Sequence, residues 1–439
     1  MEDLHPAGHN ADASSAETRG RLHPSAPAAA ASSAPFTLHD ARRPLEGLRV
    51  LELGSLIAGP FAARILADFG AEVIKIEPKS GDPLRTWGRM SPEGWSWWWY
   101  AQARNKRLMV VDLHHPEGQA IVRELMAKSD AVIENFRPGT LERWHLGYED
   151  AKRINPGIVY ASISGFGQTG PYRDRPGFGN IAESMSGMRY VTGYPDRPPV
   201  RVGFAIGDEI AALYTVIGVL MSLLRRERAK DSRGDRVDVA LTEAIFSLTE
   251  AALTEYLHEG VVQERTGNQL ARSAPSNIYP TRDGRWVAIG ANTDHIFPRL
   301  LRAMERMDLA GDPRFTDNQA RVRHEEELDA IISAWTAQYD ASELVELLQR
   351  HDVPAGPVMS VADIAADPQY QARDMILRVP SDAGNPIGMP GVVPKLASHP
   401  GRVEWTGGAL GRDTERVLRE VLGWTPEQVD AARGKGVIR

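Results

Sequence analysis

The sequence predicts an α/β protein built on a parallel sheet, with a second, smaller domain inserted towards its C-terminal half. Three observations point there. Short apolar strands alternate with helical segments from Leu48 onward, glycine-rich turns follow the strand ends, and 42% of the 439 residues are hydrophobic against 25% charged. A chain of this length has material for two or three domain-sized units.

Residues 1–43 are rich in Ala, Ser, Pro and His without periodicity, as in Pro27–Pro35, and are expected to form a disordered extension. Leu48–Leu53 (LRVLEL) reads as a strand, Gly54–Pro60 as a glycine-bounded turn, and Pro60 suits the first turn of a helix. Phe61–Phe69 has helical spacing and stops at Gly70. With Ala71–Ile76 as the next strand, Leu48–Glu77 forms a β-α-β unit. A second alternation follows in Leu108–Leu113 (strand), Glu117–Ala127 (helix) and Ala131–Glu134 (strand). Ile158–Ser164 is a further strand that runs into the glycine-rich Gly165–Gly170. In such a sheet, ligands gather at the carboxyl ends of the strands.

Ile210–Leu224 is a strongly apolar helix, Arg225–Arg236 a charged surface turn, Val237–Val239 a short strand and Thr242–Tyr256 another helix. The texture turns loop-like over Thr266–Pro280. Beyond it, strand Arg285–Ile289 and helices Ile296–Met307 and Glu326–Ala337 mark the small α+β domain. The predicted organisation is a large domain over 44–225, linker helices over 226–270, the small domain over 271–355, and a segment 356–439 without its own core that returns to the large domain.

The formal net charge of −7 lacks the basic excess of a nucleic-acid or membrane-surface binder, so neither partner is expected. No cysteine is present, which excludes disulfides, thiolate nucleophiles and Cys-ligated metals. No run reaches about 18 uninterrupted apolar residues, and the first residues do not read as a signal peptide. A cytoplasmic protein is the expectation.

Gly54 and Gly59 stand as G-S-L-I-A-G, which is neither G-x-G-x-x-G nor a P-loop, although Glu77 mimics a ribose-binding acid. Lys75, Lys79, Arg85, Lys106, Arg107 and Arg137 cluster near strand ends, either as solvated charges or jointly as a cradle for a phosphorylated ligand. The aromatic run Trp95, Trp97, Trp98, Trp99 and Tyr100 reads as packing, as a dimer contact or as part of a pocket. Asp208, in G-F-A-I-G-D-E before the apolar helix, is either a helix cap or a carboxylate at a pocket edge that the helix dipole keeps ionised. No serine elbow or H-E-x-x-H occurs, and adjacent His114 and His115 point apart on a strand, so no metal site is expected.

Several ordered blocks together resemble the class III CoA-transferases, the CaiB/BaiF family that includes the formyl-CoA transferases. They are P-L-x-G-L-R-V-L-E-L (Pro44–Leu53), A-D-F-G-A-E-V-I-K-I-E (Ala67–Glu77), G-D-P-L-R (Gly81–Arg85) and R-N-K-R (Arg104–Arg107). E-N-F-R-P-G (Glu134–Gly139), S-G-F-G-Q-T-G-P-Y (Ser164–Tyr172), I-G-D (Ile206–Asp208), V-P-A-G-P-V (Val353–Val358) and D-P-Q (Asp367–Gln369) follow. The resemblance runs from about Pro44 to the C-terminus. It implies a doubly wound, Rossmann-like large domain built from both chain ends, a small inserted domain, and two chains interlocked as a homodimer.

It also implies CoA transfer from an acyl-CoA to a small carboxylic acid with no permanently bound cofactor, and Asp208 as covalent nucleophile. The implied CoA contacts are Ile57, Ala58, Lys79, Arg85, Val111, His114, Asn135, Phe136, Arg137, Arg143 and Phe178. The family's glycine-rich loop falls on Gly290, Ala291 and Asn292, where this chain reads Gly-Ala-Asn-Thr. That departure, and Ile57 in place of a glutamine, weigh against formyl-CoA and oxalate as substrates. Racemases of the same family need a histidine where this chain has Phe178, and a phenyl ring accepts no proton. A non-catalytic subunit of a heteromeric enzyme is the remaining alternative, against which Asp208 argues. The chemistry suits a carboxylate, which needs no general base to attack a thioester. Amides near Gly207 or Gly290 are the expected oxyanion donors and closure of the Gly290 loop the expected barrier to water, while Arg201, Arg175 and Tyr100 read equally as acceptor-carboxylate ligands or as structure.

Overall fold

The computed structural model describes residues 42–229 and 231–439, so the extension expected over 1–43 lies almost wholly outside the described residues. The large sheet has six parallel strands, β1 (Arg49–Glu52), β2 (Glu72–Glu77), β3 (Lys106–Val110), β4 (Ala131–Glu134), β5 (Val159–Ser164) and β6 (Arg236–Ala240), in the order 3-2-1-4-5-6. The chain therefore leaves β1 to one side and later returns to its other side through β4, the doubly wound arrangement. Strands β3, β4 and β5 are buried at every position, as expected where both faces are covered.

The helices between these strands are α1 (Ala58–Asp68), α2 (Trp97–Gln102), α3 (Pro116–Ala127), α4 (Thr140–Arg143), α5 (Tyr148–Ile154), α6 (Gly179–Met185), α7 (Met188–Val191) and α8 (Ile206–Ala229). Helix α1 ends at Gly70, whose φ of +107° only glycine adopts without strain. On one face of the sheet, Ala62, Ala63 and Leu66 of α1 share a core with Ala211, Val216 and Val219 of α8. By length and composition α8 could cross a membrane, yet this packing makes it a core helix. It continues past the expected end at Leu224, so the surface turn expected from Arg225 begins as helix. Helix α8 runs through residue 225, and β6 pairs with β5 in the large sheet. Thr242–Tyr256 is two helices, α9 (Leu241–Phe246) and α10 (Ala252–Glu259), broken at Glu250 with φ of 49°.

A second, antiparallel sheet joins β7 (Ser276–Pro280), β8 (Trp286–Gly290) and β9 (Ala355–Pro357). It packs with α11 (Phe297–Ala303), α12 (Asn318–Arg323), α13 (Glu325–Thr336) and α14 (Ala341–Arg350) around a separate core that includes Tyr279, Val287, Leu300, Ile332 and Leu348. Thus β7 replaces the end of the expected loop, and the helix expected over Ile296–Met307 stops at Ala303. Helices α15 (Val361–Ala366) and α16 (Pro368–Ala372) then lead to a hairpin of β10 (Ile376–Pro380) and β11 (Pro386–Pro390). The last helices, α17 (Thr414–Leu422) and α18 (Pro426–Gly434), bring Val417, Leu418, Val429 and Ile438 against Leu51, Ile74 and Val122 on the second face of the large sheet. A bridge between Val111 and Ile438 closes this return. Side chains from both ends of the described chain thus meet on this face of the large sheet.

Candidate active site

Strand order reverses between β1 and β4, and the crevice there is held open by one side chain. Asn135 accepts a hydrogen bond from the Ser55 amide (2.8 Å) and donates to the Ser55 carbonyl (2.9 Å). A Cβ on Gly54 would press on the Asn135 oxygen at 3.0 Å, so the turn needs glycine at that point. Leu56, next in the turn, is held at φ of 62°, and its amide donates to Asp82 (3.2 Å).

Two cavities open at this crevice. The larger, about 870 Å³, includes Ile57, Ala58, Asn135, Phe136, Arg137, Phe178 and Asp208 in its lining. The smaller, about 320 Å³, includes Val111, His114, Phe136 and Trp144. Ser55 and Phe136 belong to both, so the two share a wall. His114 packs edge-on against Trp144 (4.9 Å between ring centroids), which in turn meets Phe136 (5.7 Å). The smaller cavity therefore has one aromatic wall, beside the crevice.

Other sequence-predicted residues lie elsewhere. Arg85 lines neither cavity; its buried guanidinium is forked on Glu77 (2.7 Å to each oxygen), donates to the Gly408 carbonyl (2.9 Å) and stacks on Trp99 (3.9 Å). Arg143 lines neither cavity and donates to Thr140 (3.2 Å). Lys79, beside the smaller cavity, pairs with Asp112 at 3.0 Å. Gly290, Ala291 and Asn292 are likewise absent from the walls. The Gly290 amide donates to Pro354 (3.0 Å), Ala291 is buried, and the Asn292 carbonyl accepts from Arg321 (2.8 Å).

Most of the basic cluster is structural. Lys75 is buried between Glu52 and Asp82 (2.8 Å each), Lys106 pairs with Glu52 (2.7 Å), and Arg107 joins Glu72 and Glu420 (2.6 Å to the latter). Within the aromatic run, Trp98 lines the large cavity, Trp99 is core, and Tyr100 spends its hydroxyl on Ser91 and Glu93 (3.0 Å each), which removes it as an acceptor ligand.

Asp208 is no cap. Helix α8 begins at Ile206, four residues before the expected start at Ile210, so Asp208 is its third residue, and its carboxylate faces the cavity beside the backbone of Gly179. Burial, then the charges of Glu183 and Glu209, raise its pKa to about 6, against the opposing pull of Arg201. Repulsion and desolvation thus outweigh the helix dipole that was expected to hold it fully ionised. The Gly207 amide is already engaged by Glu183 (3.4 Å), so neither Gly207 nor Gly290 is a free oxyanion donor.

Glu183 carries no sequence signal, being one polar residue in a short helix. In the structure its buried carboxylate takes the Gly207 amide and faces Arg189 (3.2 Å) and Arg201 (3.8 Å), fastening α6 to the first turn of α8. Arg173, Arg175 and Arg201 all line the large cavity, together with Glu209 and Asn180.

Known proteins resemble this chain over most of its length. Residues 45–414 match the family described as CoA-transferase family III. The chain is 48% identical over 397 residues to a succinyl-CoA–D-citramalate CoA-transferase of Chloroflexus aurantiacus, covering 90% of this chain and 98% of that protein. It is 38% identical to a succinate–glutarate CoA-transferase of Agrobacterium fabrum, covering 86% and 96%. A crystal structure of a CAIB/BAIF family protein from Brucella suis superposes with a TM-score of 0.78 at 35% identity, covering 86% of this chain and 99% of that one. The chain belongs to CoA-transferase family III.

Proposed function

We propose that this CoA-transferase works through acyl and CoA adducts on Asp208, with succinyl-CoA as donor. One observation carries the reading: the Asp208 carboxylate, seated against the Gly179 backbone, stands at the wall of the large cavity, at the crevice where the sheet's strand order reverses. Named relatives that use succinyl-CoA supply the donor.

The carboxylate attacks the thioester carbonyl and expels CoA thiolate, leaving a mixed anhydride on Asp208. The thiolate then attacks the aspartyl carbonyl, so that the donor acid departs as its carboxylate and an aspartyl-CoA thioester remains. The acceptor carboxylate attacks that thioester, forms a new anhydride and expels the thiolate. Attack of the thiolate on the acceptor acyl group releases the new acyl-CoA and restores Asp208. Negative charge leaves Asp208 in the first half-reaction, which the nearby Glu183 and Glu209 favour, and returns to it in the second.

A charge-removing, shape-conserving change at Glu183 isolates that effect. Glu183→Gln is expected to move the acid limb of the kcat/KM profile from about pH 6 towards the ordinary aspartate range, while Glu183→Asp keeps it raised. A pH profile of the Gln variant with an unshifted acid limb would refute the role of that charge.

The homodimer is part of this reading. Along α8, Leu213, Ile217, Met221 and Leu224 are exposed, as are Leu253, Tyr256 and Leu257 of α10. So broad an apolar stripe fits cover by a second copy. The test uses the purified chain alone, with succinyl-CoA and a panel of hydroxy- and dicarboxylic acids. Transfer by an assembly of two 48.3-kDa chains is expected, without exchange of α-protons when no acceptor is present. Proton exchange without transfer would favour an isomerase, and inactivity restored by a second protein would favour a heteromeric enzyme.

A further inference from the structure

The large cavity carries more positive charge than CoA transfer at Asp208 explains. Arg137 follows β4 at the crevice, where the resemblance places CoA. Arg173, Arg175 and Arg201 come from the segment between β5 and α8, which also carries Phe178 and Gly179. Arg173 has Asp174 at 3.5 Å, and Arg201 has Glu183 at 3.8 Å. Arg175, among the described residues, has no carboxylate within ion-pair distance. Its guanidinium lies 3.6 Å from the Tyr172 ring centroid, and that ring is braced edge-on by Phe166 at 5.8 Å. Stacking fixes the plane of a guanidinium and leaves its N–H edge for a planar anion.

From these positions we infer that Arg175, supported by Arg201, forms a subsite for the remote carboxylate of a dicarboxylic acyl group, so that the enzyme selects dicarboxylic over monocarboxylic substrates. The inference rests on the reading of Asp208 as the acylated residue. With the thioester carbon at Asp208 and the CoA moiety at the crevice, the acyl substituent meets the β5–α8 segment, beside the apolar Trp87, Trp98 and Leu241 of the same cavity. Arg175 is exposed, so a terminal methyl group there would leave its stacked guanidinium to water, whereas a carboxylate would meet it edge to edge. A site built for a polar group rejects the analogue that lacks it far more strongly than an apolar site rejects one extra methylene.

Succinyl-CoA and butyryl-CoA have equal chain length and differ in that terminal group, so their kcat/KM ratio isolates the subsite. In a ping-pong relay, kcat/KM for the donor reports the donor half-reaction alone. The wild-type chain is expected to prefer succinyl-CoA by on the order of 100-fold or more. Arg175→Gln is expected to lower kcat/KM for succinyl-CoA by about 100-fold and for butyryl-CoA by less than about 3-fold, so that the preference collapses. An equal loss with both donors, or no loss with either, overturns the subsite. Hydroxylamine capture run on the same variant reads the nucleophile separately. Label on Asp208 with an unchanged donor ratio removes only the subsite, and a collapsed ratio with label on another residue removes only the nucleophile.

Discussion

Asp208→Asn is expected to abolish CoA transfer while making the fold more stable above pH 6. Loss of a covalent nucleophile costs on the order of ten-thousand-fold or more in kcat, because no neighbouring group can replace a transferred acyl acceptor. Glu209 follows in the chain, but the Asp208 carboxylate is the one seated against Gly179 at the cavity wall. The stability change follows from the raised pKa. The folded state disfavours the charged form relative to the unfolded chain, so the penalty is absent below about pH 4 and complete above about pH 6. A shift from 3.8 to about 6 corresponds to at most about 3 kcal/mol, and partial opening of the carboxylate to the cavity lowers this to about 1–2 kcal/mol. Urea unfolding at pH 7.5 should show the gain, and the same experiment at pH 4 should show almost none. A variant that is inactive and also less stable at pH 7.5 would mean that Asp208 supports structure instead.

Gly179→Ala is the second large effect. Gly179 has no positive φ, so its backbone conformation alone does not demand glycine. A Cβ there would overlap the Oδ2 atom of Asp208 and force the carboxylate aside. Displacing a nucleophile by about 1 Å costs about 100-fold in rate. The variant should fold, bind CoA and lose at least about 100-fold in kcat, with a smaller change in donor KM. Gly203→Ala serves as the control, since nothing lies within 4 Å of a Cβ at that position. Equal kcat in both variants would show that the carboxylate has room to move and that its place beside Gly179 has no catalytic weight.

Legibility in the sequence followed the range of the forces involved. The β-α-β unit from Leu48 to Glu77 was plain because each strand has an apolar centre (Val50–Leu51 and Val73–Ile74) and the helix between them ends at a glycine. The β10–β11 hairpin was hidden by Pro380, Pro386 and Pro390, which read as loop but sit at the ends of a two-stranded sheet, where the ladder bears them. The basic residues near the strand ends could not be sorted locally. Lys75, Arg85 and Lys106 are neutralised by Glu52, Glu77 and Asp82, which only the assembled sheet brings near them. Asp208 was legible as a candidate from its glycine-flanked turn and its place before an apolar helix. Its pKa was not, because the decisive neighbour, Glu183, lies on another helix and has no motif to mark it.

The claim on which the mechanism depends is a covalent bond to one side-chain oxygen. The purified chain, incubated with succinyl-CoA and hydroxylamine and then digested for peptide mass analysis, should carry a hydroxamate on Asp208 and lose transfer activity in proportion to it. Rapid CoA transfer with no modification at Asp208, or a hydroxamate on Glu183 or Glu209, would contradict it.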